Sequence, residues 1–238
     1  MNKPLPTRKK DVLSKLEYAT HRHQQLMGEL FESKRERRDP AFLVHTAADI
    51  IVTVRECFDY LGQDIIDCYI VPNTQDPRVR KDHAAGKLKA YFPYYESQVT
   101  RADSVFNELS TIAPPLFSDL VAFANAIASG ASIPNTLFTY QMLLDVKDMV
   151  NEKKHDKLIG VVSDREQEFL IENENFKAII PIKGQSGWSS FSVVPGTQVS
   201  KVTEYRFEYN DQEVGKFCLF STNATRAVIL DLYAKHFA

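Results

Sequence analysis

The chain has 238 residues, of which 44% are apolar and 25% charged, and its formal net charge is −2. This balance is typical of a globular protein with one sizeable core or two small ones, and it excludes disordered, collagen-like and coiled-coil chains. A charge so close to zero gives no overall positive field, which argues against constitutive DNA binding but leaves a local contact with RNA open.

The apolar residues before about Lys157 recur at helical spacing, and the segments that carry them are long. N-cap residues, and prolines at first helical positions, mark where helices begin. Five helices are predicted. The first spans Asp11–Arg37, and the second begins after the Asp39-Pro40 cap and ends at about Tyr69. The others span Glu96–Ile112, Pro114 to Gly130, and Pro134 to Lys154. Residues 1–156 therefore predict an antiparallel helical bundle.

After Lys157 the apolar residues alternate in short runs rich in Val, Ile, Phe and Tyr, which is the pattern of strands. The predicted strands are Leu158–Val162, Glu168–Glu172, Phe176–Ile182, Trp188–Val194, Ser200–Tyr209 and Val214–Ser221. A last helix, capped by Thr222 or Asn223 and reaching Phe237, is expected to pack its apolar side on the sheet. Residues 157–238 thus predict a small antiparallel β-domain closed by a helix, and the whole chain an α+β protein.

Three cysteines, Cys57, Cys68 and Cys218, are widely spaced and form no disulfide or zinc pattern. The sequence also lacks a Walker loop, GxGxxG, HExxH and GxSxG, so neither a cofactor nor a metal is expected. The amino-terminal residues do not form a signal-peptide core, and the apolar stretches are too short to span a bilayer. We therefore expect a cytoplasmic protein without membrane contact.

Arg55 falls inside an apolar stripe of the second predicted helix, where an unpaired guanidinium would be costly. Asp59, four residues on, is its nearest candidate partner. If the first, second and fifth helices are neighbours, several polar residues meet at one end of the bundle, with His23 nearby. These residues are Arg55, Asp59, Asn151, Lys154 and His155.

Two interpretations of this group stay open. In the first, it is a buried polar network that fixes the register of the helices, and His23 is an ordinary core histidine. In the second, it is a metal-independent site in which His155 is the general acid or base and Arg55 stabilises a phosphoryl transition state. Such a site would act on RNA, with the 2′-hydroxyl as internal nucleophile.

Three segments carry a resemblance to a known group of proteins. They are LVHTAADIIVTVRECFDYLGQDI, YFPYY and LLDVKDMVNEKKHDKLIGVV. They resemble uncharacterised bacterial proteins with an LRxxLDH-like motif, a central FP dipeptide and an NxxKH motif before a β-rich tail. The LRxxLDH segment is similar to the R-x4-6-H signature of HEPN domains, helical bundles found in defence and toxin–antitoxin RNases. The resemblance covers roughly the first 160 residues.

Carried over by position, the resemblance assigns Arg55, Asp59 and Tyr60 to the first motif and Asn151, Lys154 and His155 to the second. Tyr60 stands where the motif has histidine, and a phenol with a reference pKa near 10 is a poor base at neutral pH. The resemblance implies a diverged RNase or an RNA or nucleotide sensor. The alternative is a non-catalytic interaction protein whose bundle forms a homodimer and whose β-domain binds a protein partner.

Overall fold

A computed structural model describes residues 3–36, 42–88, 91–153, 159–181 and 195–238. In chain order its helices are α1 (Lys9–Glu36), α2 (Leu43–Ile65), α3 (Val71–Asn73), α4 (Pro77–Ala84), α5 (Glu96–Thr100), α6 (Leu109–Ile112), α7 (Pro114–Ala128), α8 (Gln141–Lys153) and α9 (Val214–His236). The strands are β1 (Val161–Asn173), β2 (Phe176–Pro181) and β3 (Gln198–Phe207). The predicted α+β class, with an antiparallel sheet and a C-terminal helix, is confirmed.

The central helix of the fold is α2, which packs against α1, α8 and α9. Its apolar residues are buried on several sides, so it is a core helix and not a surface helix with one apolar stripe. Around its C-terminal half the core is aromatic, and the ring of Phe58 lies 5.0 Å from that of Phe92 and 5.5 Å from that of Tyr94. Full burial of each such side chain contributes about 1.5–3 kcal/mol to stability.

The described strands form an antiparallel sheet in the order β2-β1-β3. The sheet contacts the helices through alternate residues of β3, because side chains two positions apart share one face. Tyr205 and Phe207 are buried there. The Tyr205 hydroxyl donates to the Ser33 carbonyl at the end of α1 (3.3 Å), and the Phe207 ring lies 5.5 Å from that of Phe217 in α9.

The segment Val214–Ser221 is helical, so the predicted sixth strand is wrong. Glu213 caps this helix, because its carboxylate accepts the amide hydrogen of Lys216 (2.6 Å). The buried residues Val214, Phe217, Cys218 and Ser221 follow at spacings of three and four. A short apolar run is compatible with the two-residue period of a strand and with the 3.6-residue period of a helix. Here the N-cap and the spacing of three and four indicate a helix.

The C-terminal helix packs on helices and not mainly on the sheet, which corrects a second prediction. Its residues Val228, Ile229, Leu232 and Tyr233 belong to the same core cluster as Phe58 of α2. Two further strands merge, since residues of the predicted Leu158–Val162 and Glu168–Glu172 strands lie in the continuous β1. The predicted strand Trp188–Val194 and the Asp39-Pro40 cap lie outside the described residues.

Two predicted helices are shorter or interrupted in the structure. The span Glu96–Ile112 breaks after α5, where Ser104 caps a 3₁₀ turn by accepting the amide hydrogen of Phe106 (3.2 Å). The helix predicted from Pro134 begins only at Gln141. Before it, residues 131–140 form a turn in which the Ile133 amide donates to the Phe138 carbonyl (2.8 Å). Asn135 adopts a positive φ of 60° there, which a helix would not allow.

In the part of the chain that the structure describes, we find no helix with both the length and the apolar character that a membrane span requires.

Candidate functional site

The guanidinium of Arg55 is enclosed by the protein. Its side chain is only 6% exposed, and Nη1 forms a short ion pair with Oδ1 of Asp59, one turn further along α2. The predicted pairing of these two residues is therefore confirmed. The guanidinium carbon also lies 5.2 Å from the centre of the Tyr94 ring, a distance at which the ring attracts a cation. Arg55 is thus held by one carboxylate and one aromatic ring.

A second cation approaches the same ring from α8. Lys147 Nζ lies 6.0 Å from the centre of the Tyr94 ring and 4.5 Å from that of Tyr95. It donates hydrogen bonds to the Tyr95 hydroxyl (2.9 Å) and to Asp148 Oδ1 (2.8 Å). Burial lowers the pKa of Lys147, but these hydrogen bonds outweigh it and raise that pKa above its usual value. Lys147 is therefore a stable cation.

The charges of this group balance, since Arg55 and Lys147 face Asp59 and Asp148. Two polar atoms are nevertheless buried without a hydrogen-bond partner among the described residues, Nε of Arg55 and the hydroxyl of Tyr94. Burial raises the pKa of Tyr94, against the attraction of its anion to Arg55, so the phenol stays protonated. We call the five residues Arg55, Asp59, Tyr94, Lys147 and Asp148 the Arg55 network.

Tyr60 is not part of the Arg55 network. One residue after Asp59 on a helix, it faces α1, where Lys15 Nζ lies 5.1 Å from the centre of its ring. Lys15 also pairs with Glu56 (2.6 Å). In its described contacts Tyr60 is thus a packing partner of α1, on a different side of α2 from the guanidinium.

Of the second motif, Asn151, Lys154 and His155, only Asn151 is among the residues that the structure describes. Asn151 is half-buried on α8, about one turn after Lys147 and Asp148, and makes no described hydrogen bond to Arg55. Lys154 and His155 lie outside the described residues. Helix α8 packs against α2, and its Lys147 approaches the same Tyr94 ring as Arg55 does.

His23 lies on α1, and its imidazole forms a hydrogen bond with the first turn of α9. Its Nε2 is 2.9 Å from the carbonyl oxygen of Gly215 in the first turn of α9. A carbonyl can only accept, so Nε2 carries the hydrogen. His23 is thus a half-buried histidine whose Nε2 is satisfied within the fold.

Sequence reasoning missed Tyr94 and Lys147 as members of the network. Tyr94 belongs to the YFPYY segment, whose aromatic residues gave a signal for packing but none for contact with Arg55. Asp148 lies three residues before Asn151, so the two share one side of α8. Lys147 had no comparable signal, because its partners come from a segment about fifty residues away.

Within the described ranges, no three His, Cys, Asp or Glu side chains converge as a metal site requires. Cys57 and Cys218 are buried free thiols, and burial raises the pKa of Cys57 to about 12, so it is no nucleophile at neutral pH.

Comparisons of the chain with protein-family models, with curated proteins and with solved structures gave no match. The HEPN-like resemblance therefore remains a prediction based on the motifs.

Proposed function

We propose that this chain is a non-catalytic interaction protein built on a HEPN-like bundle, which pairs with a second copy of itself. The observation that carries the proposal is the enclosure of Arg55. An arginine side chain that is 6% exposed, with its guanidinium bound to Asp59 and lying 5.2 Å from the centre of the Tyr94 ring, has little surface left for a phosphodiester. The position of the missing motif histidine, Tyr60, is occupied by a ring that faces α1.

The surface proposed for self-association lies where the 131–140 turn meets α9. Leu137 at the turn is 98% exposed, and the neighbouring Phe138 ring packs against Phe220, itself 37% exposed. Backbone hydrogen bonds hold the turn in place, so ordering its backbone on association costs little. A two-fold axis brings identical surfaces together, and residues 131–140 carry no charge that would repel its copy.

Sedimentation velocity tests this proposal with the wild type, Leu137→Asp and Leu5→Asp. Leu5 is a matched control because it is a leucine with 76% exposure outside this surface. We expect a dimer for the wild type and for Leu5→Asp, and a monomer for Leu137→Asp. A monomeric wild type, or a dimer that Leu137→Asp leaves intact, would contradict the proposed surface.

A second candidate function, metal-independent RNA cleavage, is favoured by one observation: Nε of the buried Arg55 has no hydrogen-bond partner among the described residues. The bacterial defence setting, the cytoplasmic location and RNA as partner are further parts of this proposal, and they follow from the resemblance and the composition.

Incubation with total RNA in EDTA separates the two functions. The wild type is compared with Arg55→Ala and His155→Ala, each shown to be folded by circular dichroism. The interaction protein should leave RNA intact. Cleavage by the wild type that both variants lose would instead establish the RNase and overturn the non-catalytic proposal.

A further inference from the structure

A cleft of about 560 Å³ lies between α7, α9 and the turn at residues 131–140. Its apolar lining includes Ala126, Ile133 and Val228. This volume is within the roughly 300–1,000 Å³ range of small-molecule sites, which are mostly apolar with a few converging polar groups. The cleft is separate from the Arg55 network, and nothing in the motifs pointed to it.

Two aromatic rings line the cleft at a right angle. The centres of the Phe123 and Tyr140 rings are 5.5 Å apart, and their planes make an angle of 82°. The two rings pack edge to face, and the half-buried Tyr140 offers the accessible ring, because Phe123 is only 5% exposed. The face of an aromatic ring carries partial negative charge and attracts cations, and sites for quaternary ammonium groups are lined by such rings.

The charged groups at the rim favour a cation as well. Asp119 and Asp231 both line the cleft, against a single lysine, Lys235. Lys235 Nζ lies 2.7 Å from Asp231 Oδ2 and 3.9 Å from Asp119 Oδ2. The rim thus presents two carboxylates and one lysine.

The carboxylates at the rim are already engaged by the protein itself. Asp119 Oδ2 contacts Nε2 of His236 at 2.8 Å, and Asp231 is paired with Lys235. These carboxylates can therefore attract a cation by their charge, but they have few oxygen lone pairs left to accept hydrogen bonds from it. A cation that needs no hydrogen bonds fits this surrounding better than a primary amine, which must find acceptors for its three hydrogens.

We propose that this cleft binds a small quaternary ammonium ligand, with the positive head against Tyr140 and the apolar part against the aliphatic lining. Lys235 opposes the ligand's charge, so its removal should strengthen binding. The direction of this change in affinity is informative, because removal of a lysine with a purely structural role would not increase the affinity for the ligand.

Calorimetric titration with choline tests the proposal, with 3,3-dimethylbutan-1-ol as its uncharged carbon isostere. We expect choline to bind the wild type about tenfold more tightly than the isostere. Tyr140→Leu and Asp231→Asn should each weaken choline binding severalfold, while Lys235→Met strengthens it. Tyr18→Leu is the matched control, since this exposed tyrosine on α1 lies outside the cleft and should not affect binding.

Three results would overturn the proposal. They are no choline binding at millimolar concentration, equal binding of choline and its isostere, and weaker binding in Lys235→Met. Folding of each variant is checked by circular dichroism. The monomeric Leu137→Asp variant should bind choline like the wild type, so this test fails or succeeds independently of the proposed self-association.

Discussion

Helix α2 holds two buried charged residues, Asp64 and Arg55, which differ in how completely their hydrogen-bonding groups are satisfied. Asp64, near the C-terminal end, has no exposed side-chain surface and accepts hydrogen bonds from three separate residues. The donors are the Thr7 amide (3.2 Å) and hydroxyl (2.7 Å), the Arg8 amide (3.1 Å) and Nη1 (3.2 Å), and the Tyr233 hydroxyl (2.8 Å). Arg55, in the middle, has one carboxylate and leaves Nε without a described partner.

This difference indicates different roles for the two residues. A buried carboxylate with a full set of donors fixes the elements that supply them, here the segment before α1 and the end of α9. A partly satisfied network contributes less to stability and is more often kept for specificity or function. Asp64 is therefore the structural anchor of the fold, and the Arg55 network is where sequence change costs less.

The largest expected effect is that of removing Asp64. Asp64→Ala leaves the Tyr233 hydroxyl and the Thr7 groups without their acceptor in the core. We expect it to lower the free energy of unfolding by about 3–5 kcal/mol, measured by urea denaturation.

Asp103→Ala is the matched control for Asp64→Ala. Asp103 is 70% exposed in its pair with Arg101, and its loss should leave the free energy of unfolding nearly unchanged, because solvent screens such a pair. If Asp64→Ala does not fold, Tyr233→Phe removes a single donor and should cost about 1 kcal/mol. Equal effects of Asp64→Ala and Asp103→Ala would refute the anchoring role.

A double-mutant cycle on Arg55 and Asp59 should give a smaller effect. Arg55→Met replaces the guanidinium by an apolar chain, and the Asp59 carboxylate, whose side chain is 27% exposed, can regain water. We expect a loss of about 1–3 kcal/mol and a coupling energy of about 1 kcal/mol with Asp59→Asn. If Arg55→Met instead stabilises the protein, Arg55 is not retained for stability, and the catalytic interpretation gains support.

These two sites also differ in how far the sequence predicts them. The Arg55–Asp59 pair lies within one helix at a spacing of four, and the apolar stripe around Arg55 makes its charge conspicuous. Asp64 gave no such signal, because its donors Thr7 and Tyr233 come from opposite ends of the chain. Likewise, periodicity predicts α1 and α7, whereas Val214–Ser221 depends on the cap at Glu213 that a short apolar run does not reveal.

A pair of glycine substitutions probes the backbone beside Asp64. A Cβ on Gly62 would lie 3.1 Å from the amide nitrogen and 3.2 Å from the Cα of Phe92, and backbone atoms cannot easily move away. A Cβ on Gly28 in α1 would meet nothing within 4 Å. Alanine favours the helix in both cases by up to about 1 kcal/mol.

The expected results therefore differ in sign. Gly28→Ala should raise the free energy of unfolding by about 0.5–1 kcal/mol, and Gly62→Ala should lower it by about 1 kcal/mol, because overpacking exceeds the gain in helix propensity. Thermal denaturation of the two variants checks this. A stabilising Gly62→Ala would mean that the YFPYY segment does not constrain the C-terminal half of α2.

The smallest effect concerns Asp67, which lies one turn after Asp64 and shares its partner Arg8. Asp67 accepts hydrogen bonds from Gln63 (2.9 Å) and Arg8 (2.7 Å), and His83 Nε2 lies 2.9 Å from it. Burial raises the pKa of Asp67, but these contacts outweigh it and hold that pKa below its ordinary value of 3.8. The carboxylate is thus better stabilised in the folded protein than in the unfolded chain.

Because the folded-state pKa of Asp67 is the lower one, its contribution to stability is present above about pH 4 and is lost as the pH falls through the folded-state value. Asp67→Asn should therefore be less stable than the wild type near neutral pH, by less than about 1 kcal/mol since solvent screens the group. Its urea midpoint should also fall less between about pH 5 and pH 2. Parallel midpoint curves for the two proteins would mean that acid sensitivity resides elsewhere, and that Asp64 alone anchors the amino-terminal segment.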